Sequence, residues 1–539
     1  MKGIITGREE FLYPDSTLGE MGQECSLVMA ANGKKGLQIL VESDSENIEI
    51  QLELQGFDVE RYQMKAIPVE YNTGDGVSQG GNMVVDQWED AMGDYVTRRA
   101  PFYVYDCLVP WEKDKMPVVD KKAAVYLCFT PQPGVSGCCE GILTISDNGQ
   151  EKKIRMNMHV YDVEIPEGKF EISNWFSLEA IRRLHGEKNF WTVLRKYAKA
   201  MKRTHQTAFY LELDRTCVAD EEKKEFDFEY LTRIIQIFKE EGIHTLEIGP
   251  VLSRGFLEGG TPDMYTEEFR CSMFPDIAFT SREGMEITEN FIQALASYLK
   301  KYGWDKKVLL HIHDEPDVHY KNDIALNKRI EQYGIAVNIV KKHIPEAQII
   351  EAVGTTTFKD KIDVLVPVTS CYERDKTEFE KCQKNGKKVW NYVCCGPEGK
   401  WLNRFLDFAV LKGRVLFWGF AKYGITGFLH WGFNQFPVQM DPFVGTSCYN
   451  PTGIGTNFPC GDAFIVYPGK DEPWLGMRLE AQRQGAEDVM LLKMLQEKHP
   501  EKAEALIGQV FESNTEYMEE PDKFETVYEE LLRSLEDLR

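Results

Sequence analysis

The run VLLHIHDEPDVHY, residues 308–320, passes from three aliphatic residues into His311, His313, Asp314 and Glu315 before Pro316 ends the extended segment. A short apolar run that stops on charged residues and leads into a helical period, ALNKRIEQYGIAVNIVKKH (325–343), reads as one strand-to-helix unit of a parallel sheet. Seven other runs have the same design: FEISNWF (170–176), TAFYLEL (207–213), HTLEIGPVL (244–252), AQIIEAVG (347–354), IDVLVPVTS (362–370), KKVWNYVCC (387–395) and GITGFLHWGF (424–433). Helical periods such as FWTVLRKYAKAMKR (190–203), FEYLTRIIQIFKEEG (228–242) and NFIQALASYLKKYG (290–303) separate them. Eight strand runs in roughly 260 residues suit a (β/α)8 TIM-type barrel and exceed what a usual doubly wound sheet holds.

On the N-terminal side, residues 24 to 165 alternate with period two, as in GLQILVE (36–42), IEIQLELQ (48–55) and KKIRMNMHVYDVEIP (152–166). Short alternating runs with Gly, Asn, Asp and Pro between them predict an antiparallel β-sandwich. On the C-terminal side, LEAQRQGAEDVMLLKMLQEKH and FETVYEELLRSLEDLR carry helical periods. The expected organisation is a β-sandwich over 1–166, a catalytic barrel over 167–473, and C-terminal helices over 474–539 packed on the barrel as an appendage.

Composition narrows the function. The 539 residues hold 63 Lys and Arg against 86 Asp and Glu, a formal charge of −23. That balance repels phosphate backbones and anionic lipid surfaces, so nucleic acid is not an expected partner. No apolar run approaches the ~20 residues of a membrane helix, and the first sixteen residues hold three acids and no signal-peptide core. The chain as given therefore reads as cytoplasmic, without membrane insertion. Its thirteen cysteines show no CxxC spacing, which fits free thiols in a reducing compartment better than a disulfide framework or a zinc site. No Gly-rich phosphate loop or GxSxG elbow falls at a strand-to-helix turn, so no cofactor is expected. Nothing in the composition chooses between a monomer and an oligomer.

In a barrel the chemistry sits at the C-terminal ends of strands, which singles out Asp314 and Glu315. Adjacent carboxylates repel, and the repulsion lets one stay protonated while its neighbour is ionised. The competing structural account is that one caps the next helix and the other is solvated. Sequence neighbours rarely span a glycosidic bond as a separated acid and nucleophile pair would. They suit substrate-assisted retention, in which a sugar's own 2-acetamido oxygen attacks, one carboxylate orients that amide and the other protonates the leaving oxygen. An Asp-Glu dipeptide thus points to an N-acetylhexosamine. Aromatics at other strand ends, Trp175, Trp390, Tyr392, Trp431 and Phe433, could stack on sugar faces, with the Tyr392 hydroxyl donating to the acetamido carbonyl. Core packing is the alternative for each. The expected substrate-binding set is Trp175, His205, Trp390, Tyr392, Trp431 and Asn434.

HIHDEP (311–316), GDAFIVYP (461–468) and MRLEAQRQGAEDVMLL (477–492), with PQPGVSGCCEGILTI (131–145) in the preceding domain, together resemble glycoside hydrolase family 123 and related barrel proteins. The resemblance covers most of the chain. It implies a retaining, substrate-assisted β-N-acetylgalactosaminidase acting on terminal residues of glycans, such as those on glycosphingolipids. Asp314 would then stabilise the amide and Glu315 serve as general acid and base. In the third motif Arg478, Glu480, Arg483, Glu487 and Asp488 read as a structural ion-pair network. The chain departs from the family pattern there, carrying Arg483-Gln484-Gly485 where related proteins commonly have an acid between Arg and Gly, and Val489-Met490 where an aromatic follows.

Two other readings compete. His311 and His313 form an HxH that supplies two ligands in metal-dependent hydrolase barrels, with His205 and His430 as further candidates. Period two equally lets both simply point inward and hydrogen-bond Glu315 or its neighbours. A catalytically inactive carbohydrate-binding protein is the other, though binding alone gains little from adjacent like charges. A second Asp-Glu-Pro at 471–473 precedes a helical period and reads as a helix cap. The segment from Ser253 to Glu283 is placed at the pocket rim or at a dimer contact.

Overall fold

The computed structural model describes residues 1–75, 83–85, 87–452 and 456–538. The N-terminal portion forms two packed sheets, of seven and five strands, the larger completed by Tyr467–Pro468 and Pro473–Gly476 from beyond the barrel. Their inner faces meet through the alternating residues: Leu37, Ile39, Val41, Val125 and Leu127 from one sheet pack on Leu143, Ile145, Ile154, Met156 and Met158 from the other. Each position is buried because period two sends every second side chain to the same face. One pairing departs from the antiparallel pattern, since Glu24–Ala30 runs parallel to Gln150–Tyr161.

The eight strand runs form one parallel sheet: β1 (Glu171–Asn174), β2 (Ala208–Glu212), β3 (Thr245–Gly249), β4 (Val308–Leu310), β5 (Gln348–Val353), β6 (Val364–Pro367), β7 (Lys388–Tyr392) and β8 (Gly427–His430). Its spatial order is β1-β8-β7-β6-β5-β4-β3-β2. The Thr207 N–H donates to the Ile172 carbonyl at 3.1 Å and nearly closes the ring between β1 and β2. Ala208, Leu309, Ile350, Val364, Val366, Trp390 and Leu429 fill the interior, so the barrel is a packed core open only at its mouth.

Four helices outside the ring follow the predicted periods: α1 (Phe190–Arg203), α2 (Thr232–Glu240), α3 (Arg282–Tyr302) and α4 (Asp323–His343). In α1 the buried Val193, Leu194, Tyr197, Ala198 and Met201 recur at three and four residues, the stripe a helix needs to sit on a sheet. Side chains of Ser281 and Asn322 cap α3 and α4, and Gly303 at φ 67° ends α3 in the left-handed turn that a side chain resists.

The C-terminal helices pack on the barrel and also reach the sandwich. After α5 (Lys412–Lys422), helix α6 (Met477–Lys498) is buried continuously from Met477 to Leu492, wedged between barrel and sandwich. A helix enclosed on every side must match its charges internally. Arg478 pairs with Asp106 of the sandwich at 3.0 Å, and Arg483 pairs with Glu480 at 3.1 Å and Glu487 at 2.7 Å. Arg203 at the end of α1 meets Glu480 at 2.6 Å, and Arg414 of α5 meets Asp488 at 2.7 Å. Gln484 accepts from Arg414 at 3.0 Å. Arg414 already has Asp488, Glu9 and Glu525 beside it, so Gln484 in place of an acid leaves this guanidinium matched.

Asp471-Glu472-Pro473 corrects the helix-cap expectation. The residues lead into a strand, Pro473–Gly476, which pairs with Phe102–Pro110 and extends the sandwich sheet. Gly476 is the residue that precedes α6. The helix begins four residues after Pro473, and the first position of a strand tolerates a proline. No helix among the described residues is long and apolar enough to cross a membrane.

Candidate active site

β4 ends at Leu310, and the chain leaves the ring through His311 to Pro316. Glu315 takes a left-handed backbone, φ 48°, which costs a non-glycine residue energy and marks a constrained position. Two arginines hold the turn from outside. Arg254 donates to the carbonyls of Asp314 at 3.0 Å and Glu315 at 3.1 Å, and also to Met264. Arg329 of α4, fully buried, donates to the carbonyls of Thr266, Pro316, Val318, Met264 and His319. The 253–283 segment folds as a small three-stranded sheet (Leu252–Ser253, Arg270–Cys271, Phe274–Ala278), and these arginines fasten it to the Asp314 turn. It therefore forms part of the mouth.

The carboxylates face different neighbours. Asp314 lines a cleft of about 330 Å³ whose wall includes Trp175, Tyr210, Glu212, Pro250 and His311. Its surface opens into that cleft, yet protein encloses it on the remaining sides, and this burial, with Glu315 and Glu351 nearby, raises its proton affinity to about 7. Glu315 accepts a hydrogen bond from the Tyr392 hydroxyl of β7 at 2.6 Å. Burial, then the Glu315 charge, pushes the Tyr392 phenol well above its ordinary value, so it remains a donor. Trp175 stacks on Tyr210 with centroids 4.3 Å apart and an interplanar angle of 22°, forming an aromatic wall beside Asp314. A larger depression, about 870 Å³, lies on the sandwich, but neither an aromatic ring nor a histidine lines it.

Of the expected substrate-binding residues, the structure brings Trp175 and Tyr392 to the carboxylates. Trp390 lies fully buried in the barrel interior two residues below Tyr392, packed against Gly427, where an added Cβ would sit 2.4 Å from the indole. Trp431 follows β8, donates to Asp462 at 3.2 Å and meets Phe458 edge-on. Asn434 is buried, and its amide ties the backbone of Ser177 after β1 to the loop after β8. His205 precedes β2, hence stands at the opposite end of the barrel, 3.2 Å from Glu487 of α6. Trp390 lies below the mouth because a strand-end pattern fixes the level along a strand only to within a residue or two, whereas His205 precedes its strand altogether.

The HxH residues also separate. His311 points at Glu247 of β3 and Glu351 of β5, whereas His313 stacks on Phe269 at 4.3 Å. Burial keeps His313 neutral, its affinity well below the ordinary value. The chain leaves strand geometry at His311, so the alternation that would align the two no longer applies, and neither bonds Glu315. His430 is enclosed, with Nδ1 accepting from the Gly432 N–H. Among the described residues no group of three or more His, Cys, Asp or Glu side chains is arranged to hold a metal ion. Sequence reading passed over Glu247, Glu351, Arg254 and Arg329. The signal was present for two of them: TLEIG and IIEAV each place one acid inside an aliphatic strand, which a buried strand tolerates only with a partner.

A barrel mouth holding adjacent carboxylates beside a stacked aromatic wall defines, with the comparisons below, a glycoside hydrolase. The family model for the glycoside hydrolase 123 catalytic domain matches residues 175–495. The chain belongs to glycoside hydrolase family 123. A family 123 enzyme of Clostridium perfringens, described for glycolipid glycan hydrolysis, shares the fold at a TM-score of 0.67 and 15% identity, covering 99% of this chain and 97% of that one. A family 39 glycoside hydrolase from Bacteroides cellulosilyticus is more distant, at a TM-score of 0.37, 12% identity and coverage of 86% and 81%. No curated protein matches the sequence.

Proposed function

We propose that this glycoside hydrolase is a retaining exo-enzyme releasing terminal β-linked N-acetylhexosamine, N-acetylgalactosamine in particular, through its substrate's 2-acetamido group. The observation that carries the reading is the sequence-adjacent pair itself: Asp314 opens into the cleft while Glu315 is held by Tyr392. In the first step the acetamido oxygen bonds to the anomeric carbon as the bond to the leaving oxygen breaks, giving a bicyclic oxazolinium. Asp314 accepts the amide N–H and balances the positive charge, and Glu315 gives its proton to the leaving oxygen. In the second step Glu315 takes a proton from water, whose oxygen attacks the same carbon and reopens the ring with net retention. Trp175 and Tyr210 offer an apolar face for the pyranose ring. A glycan of glycolipid type is the proposed natural substrate class, as described for the Clostridium perfringens relative.

The test is initial rates on p-nitrophenyl 2-acetamido-β-galactoside, the matching β-glucoside and the plain β-galactoside, for wild type, Glu315→Gln and Asp314→Asn. Hydrolysis confined to acetamido sugars and lost in both variants is expected, with the galacto epimer faster. Equal release from the plain galactoside, or variants as active as wild type, would sink the mechanism.

A further inference from the structure

Below the cleft floor lies a chain of buried polar groups that the two carboxylates do not by themselves require. His311 Nε2 is 2.8 Å from Glu247 Oε1, and its Nδ1 is 3.2 Å from Glu351 Oε2, all three side chains being at most 2% exposed. A neutral imidazole has one N–H and would turn a lone pair toward one of these acceptors. The imidazolium donates to both, and it reduces the buried charge of the trio to a single negative unit. Burial alone disfavours that cation, but bonds to Glu247 and Glu351 outweigh it and raise the proton affinity of His311 to about 10.

The partners are anchored in turn. Glu247 accepts from the Trp175 indole at 2.7 Å and from the Ser173 hydroxyl. Glu351 accepts from the backbone N–H groups of Ile312 and His313 and from the Tyr333 hydroxyl of α4 at 3.1 Å. Trp175 and Tyr210 each present an edge-on ring to His311, at 5.3 and 5.5 Å. The titratable groups around the imidazole are therefore Glu247, Glu351, Asp314, Tyr210 and Tyr333. One end of this chain fixes the peptide groups just before Asp314, and the other fixes the indole of the aromatic wall.

We propose that His311 is a permanent imidazolium and a positioning residue, joining β3, β4 and β5 so that Asp314 and Trp175 hold their relative places when a sugar binds. The proposal rests on the reading of Asp314 and Glu315 as the reacting pair. It is tested on the full chain with 15N-labelled histidine, the His311 signals being assigned by their loss in His311→Gln. Both ring nitrogens should be protonated at pH 8, while His313 and His430 are neutral; a neutral His311 tautomer at that pH overturns the proposal. With the acetamido galactoside, His311→Gln should lower kcat on the order of 100-fold with KM changed less than about threefold, because misplacement of the reacting groups costs rate more than binding. An unchanged kcat overturns it as well. The nitrogen signals need no turnover, so inactivity on every acetamido sugar would remove the hexosaminidase reading while leaving the imidazolium result to stand or fall separately.

Discussion

The Tyr392 hydroxyl lies 2.6 Å from Glu315 Oε1, so a residue at the end of β7 fixes the carboxylate of a residue beyond β4, 77 positions earlier. Tyr392→Phe removes that donor without changing the ring. The expected result is a loss of about 10- to 100-fold in kcat/KM on the acetamido galactoside, with thermal stability nearly unchanged. Steady-state kinetics beside a melting curve checks it, and an unaltered kcat/KM would mean that Glu315 needs no orienting partner.

Asp314, raised to about 7 by burial with Glu315 and Glu351 beside it, gives the acidic pair a proton that persists to neutral pH. Because Asp314 must be ionised to accept the amide N–H and balance the oxazolinium, kcat/KM should rise as pH climbs through about 7, and the limb should flatten above it. A pH profile of the free enzyme reads this directly; rates as high at pH 5 as at pH 8 would contradict it.

Glu480 is buried, which alone would raise its affinity, but Arg203 and Arg483 hold it down to about 2. A depressed carboxyl contributes stability that is complete above its ordinary 4.5 and is lost as pH falls through about 2. The shift corresponds to something on the order of 3 kcal/mol. Acid unfolding should therefore steepen between those values in wild type. Glu480→Gln should melt lower at pH 7 and depend less on pH over that window.

Arg329 donates to five carbonyls of the 253–283 segment and the Asp314 turn, one of which, Met264, also accepts from Arg254. Arg329→Met keeps much of the volume and strands those acceptors, which should cost about 3 kcal/mol or more. Local loosening should show first as proteolysis within 253–283, together with loss of activity. A variant as protease-resistant as wild type would show that water replaces the guanidinium at no cost.

Periodicity made the ring legible: all eight apolar runs are strands of one sheet, because a buried parallel strand is aliphatic along its length and bounded by polar residues. The Asp314-Glu315 pair was legible for the same reason, since a charge abruptly ending such a run must sit at the barrel mouth. The second Asp-Glu-Pro was misread because a four-residue strand leaves almost no periodicity before the helix that follows.

What the sequence by itself determined is the order of elements, the barrel, and the place of Asp314 and Glu315 just past the fourth strand, all of which follow from local alternation and chain neighbours. Only the tertiary structure decided which distant groups meet them. Glu247 and Glu351 come from two strands, His311 from the residue just past a third, Tyr392 from a fourth strand and Arg329 from a helix, and they converge because ring closure sets their levels around the axis. Such meetings depend on packing between residues scores of positions apart, and no local pattern in the chain records that separation.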